Sequence, residues 1–206
     1  MIQAVLFDID GVLMDSLDAN TRFFQDILEK AGYPKPARAA YKKVFHLPLI
    51  DTLRELARPD TEEELERMFE LAQAVTYRSE LLKETPRAKE TVRALRKKYA
   101  LGIVSSRRQR GIERYFEFSK LKRHFKVVVC YEDSAEHKPH PEPLLAAAKR
   151  LGVSPKECVF VGDSDTDIEA GRAAGMKTIL YGRKKHPDAD AVASSFRKLP
   201  ALIEAL

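Results

Sequence analysis

The chain has 206 residues, 44% of them hydrophobic and 33% charged, with two cysteines and a formal net charge of +5. That length supports one core, or one core with a small second unit, and the composition excludes a disordered or fibrous chain. No apolar run approaches a membrane span, no basic region with a hydrophobic segment opens the chain, and the cysteines lack metal-type spacing, so a cytoplasmic protein in a reducing compartment is expected.

The first stretch, residues 3–13, is a strand-forming apolar run broken by Asp8 and Asp10 and followed by Gly11. A continuous apolar run bounded by turn signals reads as a fully buried strand. Two ionised carboxylates are costly to bury, so they are expected at an open rim where a positive charge can sit between them. A helical block follows. Ser16 is placed to cap a helix over 16–31, with Phe23, Phe24, Ile27 and Leu28 as its apolar stripe. The Gly32-Tyr33-Pro34-Lys35-Pro36 segment breaks it, and shorter helices are expected over 37–45 and 48–57. The acids after Pro59 predict a longer helix running towards Leu82.

Beyond residue 82 the pattern alternates. Thr85-Pro86 predicts a helix to about Lys98, then strands are expected over 100–104, 126–130, 158–161 and 177–181, separated by helical segments. An edge segment near 191–193 and a last helix complete the chain. Residues 83–126 carry a net charge of +11, leaving −6 for the remainder. The bases fall on helix-like segments with no nucleic-acid motif, so a solvated face is expected and no nucleic-acid partner. The whole pattern predicts an α/β fold: a Rossmann-like three-layer core with a parallel sheet, built from 1–14 and 83–206, plus a small all-helical cap over 15–82.

In a parallel sheet all strands end at one edge, where such folds bind ligands. Four polar features converge there: Asp8 and Asp10 after the first strand, Ser105 with Ser106 after the second, Lys138 after the third, and Asp163 with Asp167 after the fourth. Acids from two strands form a hard oxygen site suited to Mg²⁺, and a hydroxyl beside an ammonium suits an anion. Asp165 is expected at the surface. His137 and His140 read as loop residues, because no third soft ligand lies near them. Cys130 and Cys158 are expected as buried thiols.

In its motifs Asp8-Ile9-Asp10-Gly11-Val12, Ser105, Lys138 and Gly162-Asp163-Ser164-Asp165-Thr166-Asp167, in that order, the chain resembles the haloacid dehalogenase-like phosphohydrolases. The likeness is to the branch with a helical cap, which includes phosphoglycolate phosphatases and β-phosphoglucomutases. The resemblance implies an enzyme, a phosphatase for a small phosphate monoester that works through an aspartyl phosphate. Asp8 would be the nucleophile and Asp10 the general acid and base. Asp8, Asp163 and the backbone carbonyl of Asp10 would hold Mg²⁺, with Asp167 behind them. Ser105, Ser106, Lys138 and the backbone at Gly11 would hold the phosphoryl group. The cap would close over the rim and exclude water. His46 and Arg54 are its candidate substrate contacts, although relatives often carry Gly at the position of His46. A phosphomutase and a non-enzymatic phospho-acceptor domain are the alternatives, and a monomer or small homo-oligomer is expected.

Overall fold

The computed structural model describes residues 1–182 and 185–206. It divides into two units, one of Met1–Met14 with Glu84–Leu206 and one of Asp15–Lys83. In chain order the elements are β1 (Ala4–Phe7), β2 (Met14–Asp15), α1 (Leu17–Lys30), α2 (Arg38–Lys43), α3 (Leu49–Ala57), α4 (Glu62–Ala74), β3 (Lys83–Glu84), α5 (Ala88–Leu95), β4 (Ala100–Val104), α6 (Gln109–Ser119), β5 (Val127–Val129), α7 (Glu142–Leu151), β6 (Cys158–Gly162), α8 (Asp165–Ala173), β7 (Lys177–Tyr181), β8 (Ala191–Ala193) and α9 (Leu199–Ala205).

The larger unit is an α/β core. Its sheet runs β5-β4-β1-β6-β7-β8, and every neighbouring pair is parallel. β1 lies in the middle and all four of its residues are buried, which explains its unbroken apolar run. Successive side chains alternate between faces. Ala4 and Leu6 join Leu144, Ala147 and Ala148 of α7 on one side. On the other, Phe7 stacks on Phe196 with ring centres 6.3 Å apart and meets Phe125 edge-on at 6.4 Å. Cys130 and Cys158 are free and buried; Cys130 follows β5 and Cys158 opens β6, with β4 and β1 between those two strands. Several bases of the +11 stretch (Arg96, Lys97, Arg123 and Lys126) line a cavity of about 350 Å³ at the N-terminal ends of β4 and β5.

The smaller unit is helical. Phe23, Phe24, Ile27 and Leu28 of α1 are buried as their spacing predicts, while Ser16 makes no side-chain cap bond. Thr61 caps α4 by accepting from the Glu64 N–H at 3.2 Å. The long final helix expected here is shorter: α4 stops at Ala74, and Val75 is already extended. Val75 and Thr76 are both β-branched, which disfavours continuation. From there burial alternates, Val75 and Tyr77 in and Thr76 out, and the Tyr77 hydroxyl donates to Asn20 Oδ1 at 2.5 Å. Among the described residues no helix is long and apolar enough to cross a membrane.

Candidate active site

The site lies within the larger unit, at the C-terminal ends of β1, β4 and β6 and in the loop after β5. β1 stops at Phe7, but the Asp8 N–H still donates to Val161 O at 3.0 Å, so Asp8 stays in register beside β6. The chain then turns tightly. Gly11 adopts φ +74°, its N–H donates to Met14 O at 2.9 Å, and the Met14 N–H donates to Ile9 O at 3.0 Å. A Cβ at Gly11 would lie 1.9 Å from Asp163 Oδ2, so glycine gives the Asp163 carboxylate its space. The backbone around Gly11 is expected to hold a phosphoryl group; the N–H of Gly11 itself is bound to Met14 O.

After β6, Ser164 caps α8 and Asp167 returns the bond: Asp167 Oδ2 accepts from the N–H groups of Asp163 and Ser164, each at 3.1 Å, and from the Ser164 hydroxyl at 2.7 Å. Its other oxygen, Oδ1, accepts from Lys138 Nζ at 2.6 Å. Lys138 also stands 3.4 Å from Asp8 Oδ2. The loop that carries Lys138 is tied down at both ends. Glu142 accepts from the N–H groups of Ala135 and Glu136, and His137 stacks on Tyr131 with ring centres 3.9 Å apart.

Asp8, Asp163 and Asp167 place one carboxylate oxygen each within 4.8 Å of one another. The electrostatics follow from this crowding. Burial pushes Asp8 up to about 7 against the pull of Lys138, with Asp167 and Asp10 adding to the rise. Burial, with Asp167 and Asp8 nearby, also raises Asp163 well above the carboxylate range. Burial opposes ionisation of Asp167 as well, but the Lys138 ammonium and the Ser164 hydrogen bonds outweigh it and hold that carboxyl low. Lys138 is raised: burial disfavours its charge, and Asp167 and Asp8 more than compensate. Among the described residues Asp8 Oδ1 is buried with no hydrogen-bond partner. An orphaned carboxylate oxygen beside a second raised carboxylate fits a hard divalent cation, with Asp8 and Asp163 as the acids still short of compensation. Both oxygens of Asp167 are already engaged.

Ser105 is buried at the end of β4, where its N–H donates to Val129 O at 3.0 Å and its hydroxyl accepts from the Arg107 N–H at 3.3 Å. Ser106 follows, half-buried. Asp165 is exposed. His46 and Arg54 belong to the smaller unit; both are exposed, and Arg54 pairs with Asp51 and Glu62.

Sequence reasoning missed Arg107. Its Nε donates to Asp10 Oδ2 at 2.6 Å and its Nη2 to Asp10 Oδ1 at 2.7 Å, a two-pronged grip on the second acid of the opening motif. The signal was a base two residues beyond Ser105, hidden in a run that reads Arg107-Arg108-Gln109-Arg110.

Comparison with known proteins bears on this arrangement directly. Residues 5–181 match the model of the haloacid dehalogenase-like hydrolases. The chain belongs to that family. This hydrolase is 36% identical over 183 residues to a protein of Bacillus cereus (strain G9842) named pyrophosphatase PpaX, covering 86% of this chain and 82% of the relative. A crystal structure of a HAD-superfamily hydrolase, subfamily IA, variant 1, from Geobacter sulfurreducens superposes with TM-score 0.76 at 28% identity, over 98% of this chain and 96% of that one. A β-phosphoglucomutase from Clostridium difficile shares the fold of the hydrolase, with TM-score 0.82 at 21% identity over 100% of this chain and 98% of that one.

Proposed function

We propose that this hydrolase is a Mg²⁺-dependent phosphatase that takes the phosphoryl group of a small phosphate ester onto Asp8 and then gives it to water. The observation that carries this reading is the buried Asp8 Oδ1, without a hydrogen-bond partner among the described residues, beside Lys138 and Asp163. An oxygen of that kind is available as a nucleophile or a metal ligand, and a carboxylate supplies one of each.

Asp8 attacks phosphorus in line: a bond forms from its carboxylate oxygen as the bond to the leaving oxygen breaks. Asp10 donates a proton to that leaving oxygen, then accepts one from the water that cleaves the aspartyl phosphate. Lys138 offsets phosphoryl charge, and Ser105 and Ser106 donate hydrogen bonds to phosphoryl oxygens. Asp167 keeps Lys138 in place and charged. Magnesium would be held by Asp8, Asp163 and the Asp10 carbonyl, and when bound it would supply charge compensation for phosphoryl oxygens. Repulsion between like charges at 4 Å is about 4 kcal/mol at an effective dielectric near 20, so one ammonium beside several carboxylates leaves much to compensate. His46 and Arg54 are the proposed substrate contacts outside this core.

The test is phosphate release from a panel of small phosphate esters and pyrophosphate, with and without Mg²⁺, by wild type and Asp8→Asn. Release should require the metal, and Asp8→Asn should abolish it while the protein stays folded. Near wild-type turnover in that variant would falsify the assignment. A requirement for a bisphosphate activator would point to a mutase instead, and a stable phosphoprotein without released phosphate to a phospho-acceptor.

A further inference from the structure

We infer that Arg107 reads the substrate: it holds the Asp10 carboxylate until a second anionic group, close to the phosphoryl group being transferred, draws its guanidinium away. The inference rests on the reading of Asp10 as acid and base given above, and it narrows the substrate to diphosphates and to phosphate esters that carry another anion near the ester bond.

The grip occupies Asp10 on both sides. Two nearly equal bonds, 2.6 Å and 2.7 Å, run from one edge of the guanidinium to the two oxygens of the carboxylate. This fork-to-fork arrangement is the strong and directional form of an arginine–carboxylate pair. The two side chains are only 11% and 16% exposed, so water competes weakly for either. A carboxyl that protonates a leaving oxygen has to bring one of its own oxygens to about 2.6–3.2 Å from it. While both oxygens accept from Arg107, each offers a leaving oxygen only its second lone pair. Opening or rotating the pair frees Asp10 for that contact.

Opening has a cost that the substrate can offset. A guanidinium pulled from a partly buried carboxylate and left without another anion is poorly compensated. A second phosphoryl or carboxylate group on the substrate replaces the lost partner, whereas a neutral leaving group does not. The placement of Arg107 sets the distance at which that group is read. Its N–H donates to Ser105 Oγ and its carbonyl accepts from the Tyr131 N–H at 2.9 Å, so the backbone that carries it is the same turn that presents Ser105. The second anion must then lie within about one arginine side chain of the transferred phosphoryl. The neighbouring Arg108 sets its Nε on Glu132 at 2.6 Å.

The experiment compares pyrophosphate with p-nitrophenyl phosphate as substrates of the full chain with Mg²⁺, in wild type, Arg107→Ala and Arg107→Lys. Wild type should favour pyrophosphate in kcat/KM by about 10-fold or more, the scale of one charge-assisted pair. Arg107→Ala should erase that preference, through loss on pyrophosphate and a rise in kcat on p-nitrophenyl phosphate. Arg107→Lys should recover part of the pyrophosphate rate. A parallel fall on both substrates would make Arg107 a structural support for Asp10 and overturn the inference, as would an unchanged ratio. Binding supplies a readout independent of turnover: methylenediphosphonate should bind wild type more tightly than phenylphosphonate, and Arg107→Ala should lose the difference. If wild type released phosphate from no member of the ester panel, the phosphatase reading itself would fall, an outcome separate from an unchanged substrate ratio.

Discussion

Lys138 and Asp167 form an almost sealed ion pair, Nζ to Oδ1 at 2.6 Å, with side chains 5% and 1% exposed. The pair is more than a bridge. Asp167 Oδ2 also satisfies two backbone N–H groups at the start of α8, so one carboxylate joins the loop that carries Lys138 to the helix that follows β6. Asp167→Ala would leave the buried ammonium with only the longer 3.4 Å contact to Asp8 and strand two backbone donors. The expected loss is about 3–5 kcal/mol of folding free energy in chemical denaturation, the range for breaking one side of a buried pair. A loss under about 1 kcal/mol would mean the pair behaves as a surface contact.

Metal and pH should act on stability together. Burial raises Asp8 to about 7 and raises Asp163 as well, so between the ordinary aspartate range and about pH 7 the folded state binds more protons than the unfolded one. Stability of the metal-free protein should therefore be greatest at the acid end of that window and decline as pH rises through it. Mg²⁺ binding to the ionised acids opposes the decline. Unfolding midpoints with chelator should fall from about pH 5 to about pH 8, and the increment from added Mg²⁺ should be larger at the higher pH. Equal increments at both would count against a metal held by these two carboxylates.

Gly11→Ala tests the room beside Asp163. The new methyl would fall 1.9 Å from Asp163 Oδ2 at a residue with φ +74°, so the carboxylate or the turn has to move. Mg²⁺ affinity measured by calorimetry should drop by about 10-fold or more, in line with losses from displaced metal-site support. Unchanged affinity would show that Asp163 does not need that space to reach the ion.

The Phe7–Phe196 stack anchors the face of the sheet beneath the site, and Phe196 is fully buried. Phe196→Ala should cost about 3–5 kcal/mol, from lost burial plus the cavity left behind. Denaturant titration would show it as a lower midpoint with an unchanged slope. A variant as stable as wild type would mean that α9 collapses to fill the gap.

Arg54 gives the contrast. Its pairs with Asp51 and Glu62 are exposed, so Arg54→Ala should change stability by less than about 1 kcal/mol. A change in KM for the physiological ester without a change in the unfolding midpoint would mark it as a substrate contact.

Much of the fold was legible because it is written locally. The run Ala4–Phe7 is apolar on both faces because helices and rings cover both faces of a central parallel strand, and the polar break at Asp8 marks where that cover ends. Ser164 and Asp167 are three residues apart and cap the start of α8. The overlong helix after Pro59 failed at Val75, where the apolar spacing of a helix and of a short extended segment coincide over two or three residues.

The sequence by itself determined the order of strands and helices, and which acids, hydroxyls and lysine would follow each strand. Periodicity and capping are interactions between near neighbours, and near neighbours are visible in a string of residues. Only the tertiary structure decided that Arg107 grips Asp10 across 97 positions of sequence, that the Gly11 N–H is taken by Met14, and that both oxygens of Asp167 are occupied while Asp8 Oδ1 has no partner among the described residues. Long side chains choose partners by distance and burial in three dimensions, and neither quantity exists until the sheet has brought its strand ends together.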